Sequence, residues 1–277
     1  MKSVVLFEDE GFVDLLPLLF WRSLFELQIG RTVILDRIAQ RLGMSIAGVW
    51  TRDWIANVAA QRCGAPANYP LSAPAVLVNG RWLFDGPVKF PKPPCVGVVE
   101  EGGIAYIACD EALAANLSPR DLLHTSRRSL SIHGVPRERA VGRLLRYPWE
   151  VIRDLPNLLQ SDWSPSEAGV GSKIDKHVAL EPADQIHVGE RTRIHPTAIV
   201  DAAEGPIFIG DDVVIGAYSI LEGPLFLGPG SRVHPHAWLH GGNAIGPVCK
   251  VGGEMHGCVL HGYTNKQHNG FLGHAYV

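Results

Sequence analysis

The 277 residues carry 25 Lys+Arg against 28 Asp+Glu, a formal charge of −3, and 46% of them are hydrophobic. That apolar content excludes a disordered chain. The near-neutral balance excludes a bulk pull onto nucleic acid, and apolar runs such as residues 15–25, broken by Pro17, Arg22 and Ser23, exclude a membrane span.

In chain order, Ser3–Phe7 predicts a buried first strand and residues 33–42 an amphipathic helix. Between them Arg22 interrupts an apolar run, so its guanidinium needs an anion. Glu26, one helical turn on, is the expected partner, with a substrate phosphate as the alternative. Asn79-Gly80, between residues 75–78 and 81–84, predicts a two-residue hairpin, and residues 98–106 predict another. Residues 148–155 have helical spacing with Pro in the first turn. The stretch 161–169, polar and broken by Pro165 and Gly169, reads as a linker. An α/β domain over residues 1–146, a connecting helix and linker over 147–172, and a second domain over 173–277 follow. Five cysteines without a CxxC pair, and no secretory leader, point to reduced thiols and a cytoplasmic protein.

The second domain is compositionally distinct, holding 10 of the 12 histidines and 16 of the 30 glycines. Every sixth residue from Ile209 is a branched aliphatic: Ile215, Leu221, Leu227, Val233, Leu239, Ile245 and Val251 follow. Val188, Ile194 and Val200 keep the same stride upstream, with a slip of three at Glu204-Gly205-Pro206. Chance would put Ile, Leu or Val at about one position in four. Six suits a short strand plus a turn, and three such hexads per coil make a triangular parallel β-helix with the aliphatics on its axis. Small residues four positions on (Ala198, Ser219, Ser231, Ala237, Cys249) belong near the corners. Glycine after the aliphatic is expected to supply turn conformations that a Cβ would penalise. A sandwich, with turns spaced by 8–12 residues, fits less well.

Beyond Val251 the repeat is expected to stall over residues 252–258 and resume out of phase. The polar run Tyr263-Thr264-Asn265-Lys266-Gln267-His268-Asn269-Gly270 is expected to be a surface ledge and a binding site, since such a row cannot be core.

The runs 245–254 and 262–274, with Gly273-His274-Ala275-Tyr276 at their end, resemble a bacterial family of variant bifunctional UDP-N-acetylglucosamine diphosphorylase/glucosamine-1-phosphate N-acetyltransferase-like proteins, a group of sugar nucleotidyltransferases. Leu16-Pro17-Leu18, Arg22, Glu26-Leu27 and Ile29-Gly30 fit that family's opening motif, and Tyr147-Pro148-Trp149-Glu150 its pre-linker helix. The resemblance implies an α/β nucleotidyltransferase-like domain followed by a left-handed β-helix of hexapeptide repeats, a homotrimer, and an acyl-transfer site between subunits with acetyl-CoA as donor. The acceptor it implies is an amino-sugar phosphate, with a sugar phosphate or nucleotide sugar as the bound partner. His274 is the catalytic base it points to, followed by Tyr276 one residue closer than in the better-known enzymes. An imidazole suits a base near neutral pH. Lys250, Asn265, Lys266 and Arg22 are the candidate cofactor- and phosphate-binding residues.

The same resemblance exposes departures. Glu8-Asp9-Glu10-Gly11-Phe12 stands where active nucleotidyltransferases place several glycines and an Arg to cradle a triphosphate. Its three carboxylates would repel that ligand unless a metal, Mg2+, intervened. Leu18 replaces a Lys, and Asn79 can be aligned with a metal-binding Asp, although the hairpin explains it without function. The chain stops at Val277 in mid-coil, where relatives continue into further hexads. The expectation is therefore a truncated chain incapable of acetyl transfer as written. Two other functions compete. One is a trimeric scaffold that binds a nucleotide sugar without turnover. The other is a zinc hydratase, because His256 and His261 resemble the γ-class carbonic anhydrase spacing, although a third His two coils earlier is missing.

Overall fold

The structure, a computed structural model, describes residues 3–277. It divides into two compact units: residues 1–27 with 33–148, and residues 28–32 with 149–277. No helix among the described residues is long and apolar enough to cross a membrane.

The first unit is built on a six-stranded mixed sheet in the order Ser45–Trp50, Ser3–Phe7, Ala75–Asn79, Ile104–Cys109, Cys95–Val98, Arg137–Arg139. The first strand lies parallel to both its neighbours, and Ile104–Cys109 runs antiparallel to the strands on either side of it. Val76, Leu77 and Val78 are all at most 1% exposed, as central strands covered on both faces must be. The two neighbours of Ser3–Phe7 are reached by crossovers in opposite directions, so the carboxyl ends of Ser3–Phe7 and Ala75–Asn79 flank a switch point, where open α/β sheets bind ligands. The expected helix is present as Ile34–Leu42, closed by Gly43 in the left-handed region at φ 62. The hairpin at residues 98–106 is also present. The one at Asn79-Gly80 is not. Trp82–Leu83 leaves the sheet and pairs with Arg143–Leu144 instead, while the Asn79 side chain donates to Asp9 and to the carbonyl of Ile104.

The connecting helix is longer than its periodicity indicated. It runs Pro148–Ser161 through Pro156, burying Val151, Leu155 and Leu159 on one face. It leads into a left-handed parallel β-helix of about six turns. Three parallel sheets form its faces. Face A contains Gly169–Val170, at the end of the stretch read as a linker, then Ile186–Val188, Ile207–Ile209, Leu225–Leu227, Asn243–Ile245 and Val259–Leu260. Face B contains Arg193–Ile194, Val214–Ile215, Arg232–Val233, Lys250–Val251 and Asn265–Lys266. Face C contains Ala179–Glu181, Ile199–Asp201, Ile220–Glu222, Trp238–Leu239, Glu254–His256 and Phe271–Gly273. The hexad aliphatics all point to the axis, none more than 5% exposed, and belong to one hydrophobic cluster.

Two expectations need correction. The glycines that follow the aliphatics are not left-handed; the positive-φ positions lie mainly two residues later, at Arg191, Asp212, Tyr218 and Val248. These glycines are needed because the next coil passes close by: a Cβ on Gly216 would sit 2.4 Å from Pro235 N, and one on Gly228 2.6 Å from Gly246 C. Nor does the repeat stall beyond Val251. Ile245 aligns with Leu260 and Val251 with Lys266, fifteen residues on instead of the eighteen of three hexads. The coil is shortened and its stacking continues, with Met255 and Leu272 filling face C's axial positions.

Candidate functional site

The solenoid gathers its titratable side chains on face C. The strand register puts Asp201 beside Glu222 and aligns Leu221, Leu239 and Met255, so Glu222, His240 and His256 follow one another outward on successive coils. His240 is held at both ring nitrogens: Nδ1 lies 2.9 Å from Glu222 Oε2 and Nε2 3.2 Å from Glu254 Oε1. The Trp238 indole donates to the other Glu222 oxygen at 2.8 Å, fixing that carboxylate. The ladder continues through His256, 5.7 Å from the His240 ring, to His274, 5.2 Å further. Gly257, at φ 62, makes room for the last ring, since a Cβ there would lie 3.0 Å from His274 Nδ1. The His274 N–H donates to the carbonyl of His256 at 2.9 Å. A cleft of about 790 Å³ opens along this face between Asp201 and Phe271, lined by Glu222, His240, Glu254 and His256. Of the three imidazoles only His240 has carboxylate partners; an imidazole with a free ring nitrogen can take a proton from an attacking nucleophile and return it to a leaving group.

Of the residues singled out in the sequence, His274 joins this ladder and the others do not. Tyr276 faces away from it: its hydroxyl accepts from Gln28 N–H at 2.8 Å and donates to the Gln28 carbonyl at 3.2 Å. Lys250 and Asn265 are exposed neighbours on face B. Lys266 corrects the picture of an all-surface ledge. It stands at the axial position below which Val251 and Val233 lie. Its ammonium donates to the carbonyls of Gly252, His268 and Gly270 at 2.6, 3.1 and 2.7 Å. Burial lowers its pKa, and all three N–H donors are already engaged. His256 and His261 follow strands of different faces, C and A, so the hydratase pair does not converge. Among the described residues no group of three or more His, Cys, Asp or Glu is placed to hold a metal ion. Glu222 and Glu254 escaped the sequence reading, and His256 was singled out only as half of a zinc pair with His261. The hexad register itself would have aligned Glu222 with His240, but the shortened coil hid where His256 falls.

In the first unit Arg22 does not pair with Glu26. Glu26 accepts from Arg62 at 3.1 Å and from Ser23 N and Oγ at 2.7 and 2.8 Å, which leaves the buried Arg22 Nη1 without a hydrogen-bond partner. The three loop carboxylates are each claimed by an arginine. Glu8 pairs with Arg52 at 3.0 Å, both side chains at most 1% exposed. Asp9 receives both arms of Arg81, at 2.7 and 2.6 Å, and Glu10 pairs with Arg128. Asp9 also accepts from Gly11 N–H and from Asn79 Nδ2, while Asn79 Oδ1 takes the N–H of Arg81. Every oxygen of the Asp9–Asn79 pair is therefore occupied by a donor, and this pair does not fit Mg2+, which demands several free oxygen ligands. A small hollow of about 240 Å³ beside it is lined by Glu10, Gly11, Asp14, Arg81, Glu101 and Arg146, among others.

Residues 4–169 match the family model described as sugar nucleotidyl transferase. No curated protein matches the chain. The solved structure of PerB from Caulobacter crescentus, in complex with CoA and GDP-perosamine, aligns over 98% of this chain and 94% of its own at 11% identity, with a TM-score of 0.22. A superposition that loose carries nothing over to this chain.

Proposed function

From the premise that the chain belongs to the sugar nucleotidyl transferase family, we propose that it is a sugar-nucleotide pathway transferase that works by acyl transfer. Acetyl-CoA is the donor, an amino-sugar phosphate the acceptor, and a homotrimer the working assembly. The observation that carries this reading is the imidazole ladder His240–His256–His274, whose first two rungs line the cleft of face C with Glu222 and Glu254 and whose last, His274, lies 5.2 Å beyond His256.

The chemistry is simple to place. The sugar amine attacks the thioester carbonyl, forming a C–N bond and breaking the C–S bond. The proton leaving the amine goes to an imidazole and from there to the departing thiolate. His274, with no hydrogen bond on its ring nitrogens among the described residues, is the base in this reading. His240, tied at both nitrogens, orders the carboxylates beneath it. Tyr276 supports the site as an anchor of the last coil on Gln28 rather than as a proton donor.

A second reading has its own support. The loop carboxylates engaged by Arg52, Arg81 and Arg128 favour a first unit that binds a nucleotide sugar or sugar phosphate without nucleotidyl transfer. Two assays of the protein decide. Free thiol released from acetyl-CoA with glucosamine-1-phosphate is expected, and His274→Ala is expected to lower it by about 10²–10⁴-fold; unchanged turnover in that variant overturns the base assignment. Pyrophosphate released from UTP, N-acetylglucosamine-1-phosphate and Mg2+ overturns the binding-only view of the first unit.

A further inference from the structure

We propose that face B carries a second binding site, for the phosphate ester of a sugar. A hollow floored by Gly216, between His195 and His234, takes the phosphoryl group, and the adjoining Tyr218 takes the sugar ring. The inference goes beyond acyl transfer and does not rest on it, since the hollow and the cleft of face C share no lining residue.

The hollow follows from the order of side chains along the stack. Strand pairing aligns Ile194, Ile215 and Val233 on the axis. The ladder continues one residue further: His195 N–H donates to the Ile215 carbonyl, Gly216 N–H to that of Val233, and His234 N–H to that of Val251. His195, Gly216 and His234 therefore share one column. Imidazoles on neighbouring coils meet, as those of His256 and His274 do at 5.2 Å. With a glycine coil between them, the backbones of His195 and His234 stand about 10 Å apart, which leaves a slot between the two side chains. The outcome is a hollow of about 250 Å³ lined by His195, Val214, Gly216, Arg232 and His234, among others.

Its chemistry is that of an anion site. Arg232 is exposed and the two histidines are half-buried. Among the described residues, no side-chain hydrogen bond or ion pair engages any of the three. No strand of face B contains Asp or Glu, and Asp211 and Asp212, just before Val214, are both paired with Arg191. Arg193 and Lys250 stand in the column of Arg232, so the field over the hollow is positive. Donors come from the coil above, the coil below and the side. Three directions suit a tetrahedral oxyanion better than a planar carboxylate, and a guanidinium offers phosphate two parallel N–H groups.

The ring contact lies alongside. Two residues after Gly216 and His234, Tyr218 and His236 adopt φ 60 and 61 at the corner of the coil. Their rings stack 5.2 Å apart and 7° from parallel, with Tyr218 60% exposed. A phenol ring so presented offers an apolar surface to the C–H face of a sugar.

NMR of the full chain, labelled at its histidine rings, tests this with inorganic phosphate and glucose-1-phosphate as probes. The second lacks the amine that the cleft of face C would acetylate. Both probes are expected to shift the His195 and His234 signals saturably, the signals being assigned through His195→Gln and His234→Gln. By calorimetry, Arg232→Gln is expected to weaken both probes about tenfold or more. Tyr218→Ala is expected to weaken glucose-1-phosphate alone, about threefold. Equal affinity for the two probes, untouched by Tyr218→Ala, would identify the ligand as free phosphate and overturn the ring contact. No saturable shift at His195 and His234, shifts confined to His240, His256 and His274, or affinities unchanged in Arg232→Gln overturn the site. The wild-type shifts decide by themselves should a variant fail to fold. Absent thiol release with these shifts intact would count against acyl transfer alone.

Discussion

Replacing Glu8 by Gln isolates the ion pair that fills the loop after the first strand. The carboxylate is 0% and its partner Arg52 1% exposed. It also accepts from Leu24 N–H at 2.7 Å and from Thr51 Oγ1 at 2.5 Å. The amide keeps the shape but removes the charge, leaving the Arg52 guanidinium in a dry site with only neutral oxygens to face, the amide's and the carbonyls of Leu19 and Arg22. Breaking a buried pair from one side costs about 3–5 kcal/mol. With a urea slope of about 1–3 kcal/mol per molar, the midpoint of this unit should fall by at least about 1 M. Hydrogen exchange at the amides of Ser3–Phe7 and Ala75–Asn79, followed against urea, separates this unit from the solenoid. The double variant Glu8→Gln/Arg52→Met should recover a substantial part of the loss, because no lone charge remains. A single-variant midpoint within about 0.2 M of wild type would refute the account, since at that slope it corresponds to well under 1 kcal/mol.

Three further outcomes are expected. Gly216→Ala should lower the thermal midpoint of the solenoid despite alanine's gentler backbone entropy, because its Cβ would meet Pro235 N at 2.4 Å; a midpoint unchanged or raised in calorimetry would contradict the close-approach explanation. Tyr276→Phe should cost about 1–2 kcal/mol by losing two hydrogen bonds to Gln28, read as faster amide exchange at Gln28 and Val277. The hydrogen bond from Arg31 holds the Glu167 carboxyl below its ordinary value. Its contribution to stability is therefore complete above the unfolded glutamate range and disappears as pH falls through the lowered folded value. Acid unfolding of Glu167→Gln should show a shallower pH dependence there, and identical titrations would dismiss the pair.

Much of the solenoid was legible because its burial rule is one-dimensional: a fixed stride names the axial residues, and Ile209 through Val251 all lie where that stride puts them. Lys266 was not, because a cation at an axial position breaks the polarity code and is tolerated only where three carbonyls converge on it. The histidine ladder was half-visible. Its members lie on different coils, and their alignment depends on a shortened turn that no local pattern announces. In the first unit Asn79-Gly80 misled because the turn signal is local, whereas the strand's real neighbours, Ser3–Phe7 and Ile104–Cys109, are remote in sequence. The loop carboxylates were read as a repulsive cluster since their arginines, at positions 52, 81 and 128, come from distant segments.

Because each imidazole of face C belongs to its own coil, the rungs are carried by strands stacked about 4.8 Å apart, with ring centroids 5.7 and 5.2 Å apart. Excising or inserting one whole coil would remove or add a rung while leaving those above and below in registry. The reach of the cleft is thus a discrete variable that can change without disturbing the rest of the stack, and a ligand of different length would be met by counting rungs rather than by remodelling the walls.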